Sequence, residues 1–294
     1  MLGPASLSRT KKPPICITQI SGLASLIHSG AGVPLMKSTL RGLLYCLAIV
    51  AAFMTVSPPK GQASIRFGVA AEPYPPFASK DASGQWVGWE IDLMKAVCRA
   101  MNEECAIVEA SWDGIIPALK ANFFDVIWST MSITRERSAL IDFTDPYYTA
   151  PNILIGQRNG DLNISPDHLR GKLIGAQAGT IHDRYLKTRY ATSLLKNYQT
   201  TDEALQDLVA GRLDYMEGDM VNLLNFLETP LGKGCCEFKG QVIDELGPAG
   251  GVAGGIRKGD TALREKLNAA LKIVRDSGEY QAISRKYFPF DISP

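Results

Sequence analysis

From Ser64 onward the chain alternates short apolar runs with amphipathic segments, and this alternation limits the possible fold more than any other feature. The runs "IRFGVA" (65–70) and "LIGAQ" (173–177) are typical of buried strands. Between them, "EIDLMKAVCRAM" (90–101) repeats apolar residues at helical spacing. Alternating strands and helices predict an α/β fold with largely parallel sheets.

Helix boundaries are also readable. In "TTDEALQDLVAGR" (200–212), Thr200 and Glu203 have capping-box spacing and Gly211 ends the apolar pattern. Further strands are predicted at 106–110, 125–129 and 213–216, and further helices at 113–121, 221–227, 262–278 and 279–288. Thr180, after the strand at 173–177, occupies the N-cap position of another helix.

Residues 1–63 differ from the rest of the chain in charge. They contain six of the 31 Lys and Arg residues and no Asp or Glu, so residues 64–294 carry 25 basic against 30 acidic residues. A mildly acidic body does not indicate nucleic-acid binding, and we expect no nucleic-acid partner.

The basic front has the layout of a secretory signal peptide. A short positive segment starts at Met36, a 14-residue apolar run covers 43–56, and Gly61 and Ala63 are placed as the small residues of a cleavage site. We therefore expect 1–63 to be a leader, with the signal peptide at 36–63, and a mature protein outside the cytoplasm. The alternative is a retained membrane anchor, although such a span normally needs about 20 apolar residues.

The cysteines and histidines limit the chemistry of the mature chain. Cys98 and Cys105 are seven residues apart, and in an oxidising compartment we expect them to form a disulfide; the alternative is two independent buried thiols. Cys235 and Cys236 are adjacent, and their role stays open. With two histidines after Ser64 and no CxxC pair, the sequence predicts no metal site and no cofactor.

Polar residues follow the predicted strand that ends at Trp128. Ser129, Thr130 and Ser132 come directly after it, and Arg137 follows within about one helical turn. Ligand sites lie at the carboxyl ends of parallel strands, and an arginine with short hydroxyl donors can hold a carboxylate. The alternative is a turn whose hydroxyls merely cap a helix beginning at "RERSAL".

Three stretches carry a resemblance to a known family. They are "IRFGVAAEPYPPFASKDASGQWVGWEIDLMKAVC", "WDGIIPALKANFFDVIWSTMSITRERSALIDFTDPYY" and "GVAGGIRKGD" with the helices after it. The chain resembles the periplasmic polar-amino-acid-binding proteins of ABC importers, in particular the lysine/arginine/ornithine- and histidine-binding group. The similarity covers essentially all of 64–290.

This resemblance implies a fold and a domain organisation. The expected fold is α/β, the two-lobed periplasmic binding protein fold of type II with two crossing hinge strands. Lobe 1 would comprise 64–150 plus 252–294, and lobe 2 would comprise 151–251. An amino acid would bind between lobes that close by hinge motion.

The resemblance also implies binding roles. Tyr74 and Trp112 match aromatic residues on the two sides of the ligand. Ser129, Thr130 and Ser132 match positions that contact its head group, and Arg137 matches the arginine that pairs with the α-carboxylate. On the second lobe, Thr180 matches a donor at a helix N-terminus and Asp219 matches the acceptor of the α-ammonium group.

Side-chain specificity stays open at this stage. Basic-amino-acid binders of the group carry an acid where this chain has Ala71. Glu72, His182 and Glu217 lie near the expected cleft and are possible specificity residues. The three acids Glu72, Glu217 and Asp219 favour a cationic or polar ligand.

The predicted function is a monomeric, non-catalytic periplasmic receptor. It would capture a polar amino acid or derivative, basic amino acids included, and deliver it to an inner-membrane ABC permease. The alternative is a cyclohexadienyl-type dehydratase on the same scaffold, with Glu217 as proton donor. A sensor domain would require a separate signalling partner.

Overall fold

The protein is described by a computed structural model that covers residues 64–242 and 250–294. The predicted leader, including the signal peptide at 36–63, lies outside the described residues. The described strands are β1 (Ile65–Ala70), β2 (Ser79–Lys80), β3 (Trp86–Val87), β4 (Cys105–Ala110), β5 (Val126–Ile127), β6 (Asp142–Phe143), β7 (Asn152–Gln157), β8 (Leu173–Gln177), β9 (Leu194–Tyr198), β10 (Tyr215–Asp219), β11 (Cys236–Val242) and β12 (Gly255–Ile256). The described helices are α1 (Trp89–Met101), α2 (Ile115–Lys120), α3 (Arg135–Leu140), α4 (Ile181–Arg189), α5 (Thr201–Val209), α6 (Met220–Glu228), α7 (Pro230–Cys235), α8 (Thr261–Asp276) and α9 (Glu279–Tyr287).

Two five-stranded sheets organise the fold. The first has the order β4-β1-β5-β12-β6, and the second has the order β11-β7-β10-β8-β9. In each sheet three strands are parallel, β4-β1-β5 and β10-β8-β9. The remaining strands pair antiparallel, so the sheets are mixed rather than largely parallel as expected. The chain enters the second sheet at β7 and returns to the first sheet at β12, and both strands pair antiparallel with their neighbours.

The chain passes between the two sheets twice, once between β6 and β7 and once between β11 and β12. This is the expected two-lobed α/β architecture with two crossing segments. The lobe boundaries at 150/151 and 251/252 remain a prediction. The resemblance implies hinges at 150–152 and 247–251, and residues 247–249 of the second hinge lie outside the described residues.

The core beside the first sheet is rich in aromatic residues. The Trp89 side chain on α1 is fully buried and lies within 6.1 Å, between ring centroids, of Phe77, Tyr147 and Tyr280. The Trp128 ring stacks on Tyr147 at 4.4 Å. This packing fixes the ends of β1 and β5, from which the polar loops of the site project.

The second sheet is covered on both faces. On β7, Ile153 and Ile155 face one core cluster, with Leu205 and Leu208 of α5, while Leu154 faces another. This alternation is the period-2 pattern of a strand buried on both sides. Within the described residues no helix is both long and apolar enough to span a membrane.

Two disulfides join the four cysteines of the described chain. Cys98 and Cys105 are bonded with Cα atoms 6.2 Å apart, which confirms the disulfide interpretation over two separate thiols. Cys235 and Cys236, for which sequence analysis offered no interpretation, are also bonded, at the junction of α7 and β11.

Replacing Cys98 and Cys105 together by Ala should lower the free energy of unfolding by on the order of 2–3 kcal/mol, because the cross-link closes only a short loop of the unfolded chain. Urea unfolding of parent and variant measures the difference. Both thiols of the parent reacting with an alkylating agent under denaturing, non-reducing conditions would contradict the bond.

Candidate functional site

A cleft between the two sheets collects most of the predicted site residues. It encloses about 670 Å³ of space between protein atoms, part of it open to solvent. Its lining contains seven of the eight predicted ligand-binding residues, namely Tyr74, Trp112, Ser129, Thr130, Ser132, Arg137 and Thr180. It also contains Glu72, His182 and Glu217, together with Gln177, Thr201, Met216 and Asn222, which sequence reasoning missed.

The polar loop after β5 forms one wall of the cleft. The Ser129 hydroxyl accepts a hydrogen bond from the Ala70 N–H at 3.1 Å, which ties this loop to the end of β1. Thr130 has a φ of 46°, an unusual left-handed conformation for a β-branched residue. Its N–H donates to the two carboxylate oxygens of Glu90 at 2.7 and 3.0 Å. The carboxylate therefore stabilises the conformation that places Thr130 in the cleft.

Glu90 is a buried acid beneath this wall. Its side chain is fully buried and also accepts a hydrogen bond from the Tyr147 hydroxyl. Burial raises the pKa of Glu90 to about 7, although the hydrogen bonds from Tyr147 and Thr130 oppose the increase. Sequence analysis did not assign Glu90 to the site. The available signal was an acid at the start of an otherwise apolar helix face.

The raised pKa of Glu90 makes stability depend on pH. The folded state binds a proton more tightly than the unfolded state, so this stabilisation is present below about pH 4.5 and is lost as the pH rises through about 7. Over that pH range we expect the free energy of unfolding of the parent to fall by on the order of 3 kcal/mol relative to that of Glu90→Gln. Urea unfolding of both proteins at several pH values measures this, and parallel profiles would contradict it.

Arg137 lies where the two walls approach each other. Its Nη1 donates to the Ser132 carbonyl at 2.9 Å, and its Nη2 donates to the Gly179 carbonyl at 3.3 Å. The guanidinium also lies 5.3 Å from the centre of the Trp112 ring. Burial, reinforced by the charge of Arg184, lowers the pKa of Arg137 to about 10, so the group remains a cation at neutral pH. Because a guanidinium has five N–H donors, three remain for a ligand.

The alternative interpretation, in which the hydroxyls after β5 cap the helix that begins at "RERSAL", holds for Thr134 alone. Its hydroxyl caps α3 by accepting from the Arg137 N–H at 3.1 Å. Ser129, Thr130 and Ser132 instead line the cleft. Arg135 is exposed.

The opposite wall begins at the carboxyl end of β8. Thr180 caps α4, and its hydroxyl accepts from the Asp183 N–H at 3.2 Å and donates to the Gln177 carbonyl at 2.7 Å. His182, the second residue of α4, lies beside Glu217 of β10, with Nδ1 and Oε1 3.0 Å apart. The end of β8, the start of α4 and the middle of β10 together build this wall.

Three buried oxygen atoms in the lining accept no hydrogen bond from the described part of the chain. They are Glu72 Oε2, Glu217 Oε2 and Asn222 Oδ1. The same side chains are anchored by their other atoms: Glu72 Oε1 accepts from the Trp112 N–H at 3.3 Å, and Asn222 Nδ2 donates to the Pro75 carbonyl at 2.6 Å. Buried acceptors without donors are costly, so the cleft is suited to a ligand with several N–H groups.

Two predicted residues lie outside the lining. Asp219 caps α6 by accepting from the N–H groups of Val221 at 2.8 Å and Asn222 at 3.2 Å, and it accepts from the Tyr148 hydroxyl at 2.6 Å. Burial raises its pKa, against the opposing effect of the Tyr148 hydrogen bond. Ala71 is exposed, and its N–H donates to the Ala110 carbonyl. The ligand-contact roles of all these residues remain predictions.

Direct contacts join the two walls across the cleft. Besides Arg137 with Gly179, they pair Tyr148 with Asp219, Asn222 with Pro75 and Glu136 with Arg184. The described residues contain no group of three or more His, Cys, Asp or Glu side chains that could hold a metal ion.

Comparison with known proteins gives a consistent result. Residues 65–290 match the bacterial extracellular solute-binding proteins, family 3. The chain is 40% identical over 231 residues to the L-arginine-binding protein of Pseudomonas aeruginosa, covering 78% of this chain and 89% of the relative. It is 36% identical over 258 residues to the histidine-binding periplasmic protein of Escherichia coli K12, covering 86% of this chain and 99% of the relative. A solved ancestral amino acid-binding protein, a precursor of cyclohexadienyl dehydratase, superposes with a TM-score of 0.68 at 31% identity. The superposition covers 76% of this chain and 95% of that protein.

Proposed function

The chain belongs to the bacterial extracellular solute-binding proteins of family 3, and from this membership we propose that it captures a basic amino acid in the cleft and delivers it to an ABC permease. We further propose that it acts in the periplasm as a monomer, after export by the signal peptide at 36–63. The relatives named for arginine and histidine support a ligand with a nitrogen-rich side chain.

The observation that carries this proposal is the polarity of the two walls. Arg137 offers free N–H donors on one wall, which suits the α-carboxylate. Glu72, Glu217 and Asn222 offer unpartnered acceptors elsewhere in the same cleft, which suits ammonium or guanidinium groups. An amino acid with a cationic side chain carries both kinds of group on one small molecule.

A dehydratase is the second candidate function. Glu217 favours it, because this buried acid has an unpartnered oxygen in the cleft and could serve as a proton donor. The solved relative that is a precursor of such an enzyme is itself described as an amino acid-binding protein, which supports binding over catalysis.

Thermal-shift screening of the mature protein against the common amino acids, ornithine and citrulline tests the proposal. We expect basic amino acids to stabilise it most, since a ligand at 100 times its Kd adds about 2.7 kcal/mol. Glu217→Gln should weaken binding of L-arginine and L-lysine more than that of L-glutamine, because it removes a charge that the neutral ligand does not use.

Glu228→Gln is the matched control, since the Glu228 side chain is 78% exposed. It should change none of these affinities. Turnover of prephenate or arogenate by the parent, abolished in Glu217→Gln, would replace the receptor proposal by the dehydratase. The absence of stabilisation by any amino acid would refute amino-acid binding.

A further inference from the structure

His182 and Glu217 make a contact in the wall of the cleft that holding an amino-acid head group does not require. His182 is the second residue of α4, and its Nδ1 lies 3.0 Å from Oε1 of Glu217. The two side chains are only 12% and 0% exposed. The second carboxylate oxygen, Oε2, is buried and accepts no hydrogen bond from the described residues, and Glu217 is one of the residues that line the cleft.

We propose that His182 is a positioning residue that sets the charge Glu217 presents, and thereby makes binding of a ligand with a distal cation dependent on pH. This inference rests on the proposed function. With a neutral ring, the Nδ1–H group donates to Oε1, the pair carries one negative charge, and Oε2 is left for the ligand. With a protonated ring the pair is neutral, and Nε2 becomes a donor in a wall otherwise rich in acceptors.

The surroundings of the ring raise the pKa of His182 above its ordinary value. Burial lowers the pKa of His182, but the carboxylate of Glu217, its hydrogen bond and the charge of Asp219 together raise the pKa above its usual value. The charge of Arg137, on the facing wall, opposes them. The ring therefore holds its proton more tightly than a free imidazole, and a ligand cation would compete with that proton for the same carboxylate.

Other charged groups on and beside α4 are paired with one another or exposed. Asp183 pairs with Lys187, Arg184 pairs with Glu136, and Lys196 on the neighbouring strand pairs with Asp207. Arg189, the last residue of α4, is exposed. Glu217 thus remains the acid in direct contact with His182.

The sign of the pH dependence follows from competition between two cations. A ligand ammonium or guanidinium group beside Glu217 lowers the pKa of His182, so binding releases protons wherever the ring is protonated in the empty protein. Affinity for a cationic ligand should therefore be about ten- to hundredfold lower near pH 5.5 than near pH 8.5. A neutral ligand such as L-glutamine places no cation there and should lack this dependence.

Calorimetric titration with L-lysine, L-arginine and L-glutamine at about pH 5.5, 7 and 8.5 tests the inference. His182→Asn keeps an amide near the position of Nδ1 but cannot titrate, so it should flatten the profile for the cationic ligands. His168→Gln is the matched control, because that ring is 43% exposed and pairs with Asp161. Glu90 and Asp219 also have raised pKa values, so the relevant quantity is the difference between parent and variant.

Proton release by the parent gives an independent readout that needs no variant. L-lysine binding near pH 7, measured in two buffers of different ionisation enthalpy, should release a fraction of a proton, and L-glutamine binding should release less. Equal pH profiles for parent and His182→Asn, or no proton release on L-lysine binding, would overturn the inference. If only neutral amino acids bind, His182 has lost its proposed role while amino-acid binding stands. If no amino acid binds, the proposed function fails as well.

Discussion

Replacing Arg137 by Ala should lower the affinity for the amino-acid ligand by roughly 30-fold to several thousand-fold. Truncating one partner of a buried charge pair costs about 2–5 kcal/mol, because the other charge is left without a partner. Arg137 has the geometry for such a pair, with two of its donors fixed by the Ser132 and Gly179 carbonyls and the rest free. Calorimetric titration of parent and variant measures the loss.

Arg135→Ala is the matched control, two residues away on the same helix and exposed. This change should lower the affinity for the ligand by less than about tenfold, since exposed charges contribute about 1 kcal/mol or less. Arg137→Lys should recover only part of the affinity, because an ammonium group cannot reproduce the planar fork. An Arg137→Ala protein that binds as tightly as the parent would show that the carboxylate is held elsewhere.

Asp219→Asn should cause a loss of similar size, roughly 30-fold to several thousand-fold, by removing the counter-charge of the α-ammonium group. Asn is as good an N-cap as Asp, so the substitution removes charge while keeping the cap of α6. The carboxylate accepts three hydrogen bonds from the protein and has about four acceptor positions, so room for one ligand donor remains.

Asp260→Asn is the control for this variant. Asp260 caps α8 through the Leu263 N–H at 3.3 Å and is absent from the cleft lining. Its replacement should leave ligand affinity unchanged. If Asp219→Asn binds amino acids normally, the ammonium group is held by one of the unpartnered acceptors, Glu72, Glu217 or Asn222.

Local sequence rules predicted the long elements well. The capping box of Thr200 and Glu203 is present at the start of α5, and β1 and β8 have the predicted bounds. These elements are decided by nearby residues, namely apolar spacing and the hydrogen bonds that close a helix end. For the same reason Thr180 was correctly predicted as an N-cap.

Features that depend on distant contacts were not predictable from local pattern. The two-residue strands β6 and β12 exist because they pair with each other across 112 residues of sequence, from Phe143 to Gly255. The contact of Glu90 with Thr130 likewise depends on how distant segments of the first lobe pack, and the position of Asn222 in the cleft depends on how the two lobes meet. The arginine and hydroxyl cluster was found because one short segment contains it.

The contacts that bridge the cleft have a consequence for how affinity is set. Tyr148 with Asp219 and Glu136 with Arg184 join the walls through protein atoms alone, so part of the free energy of closure is independent of the ligand. The measured Kd is then the intrinsic value divided by the fraction of empty molecules already closed. Changes at Glu136 or Arg184 would rescale the affinity for every ligand by one factor, leaving their ranking intact. Selectivity and overall tightness are thus separately adjustable in this chain.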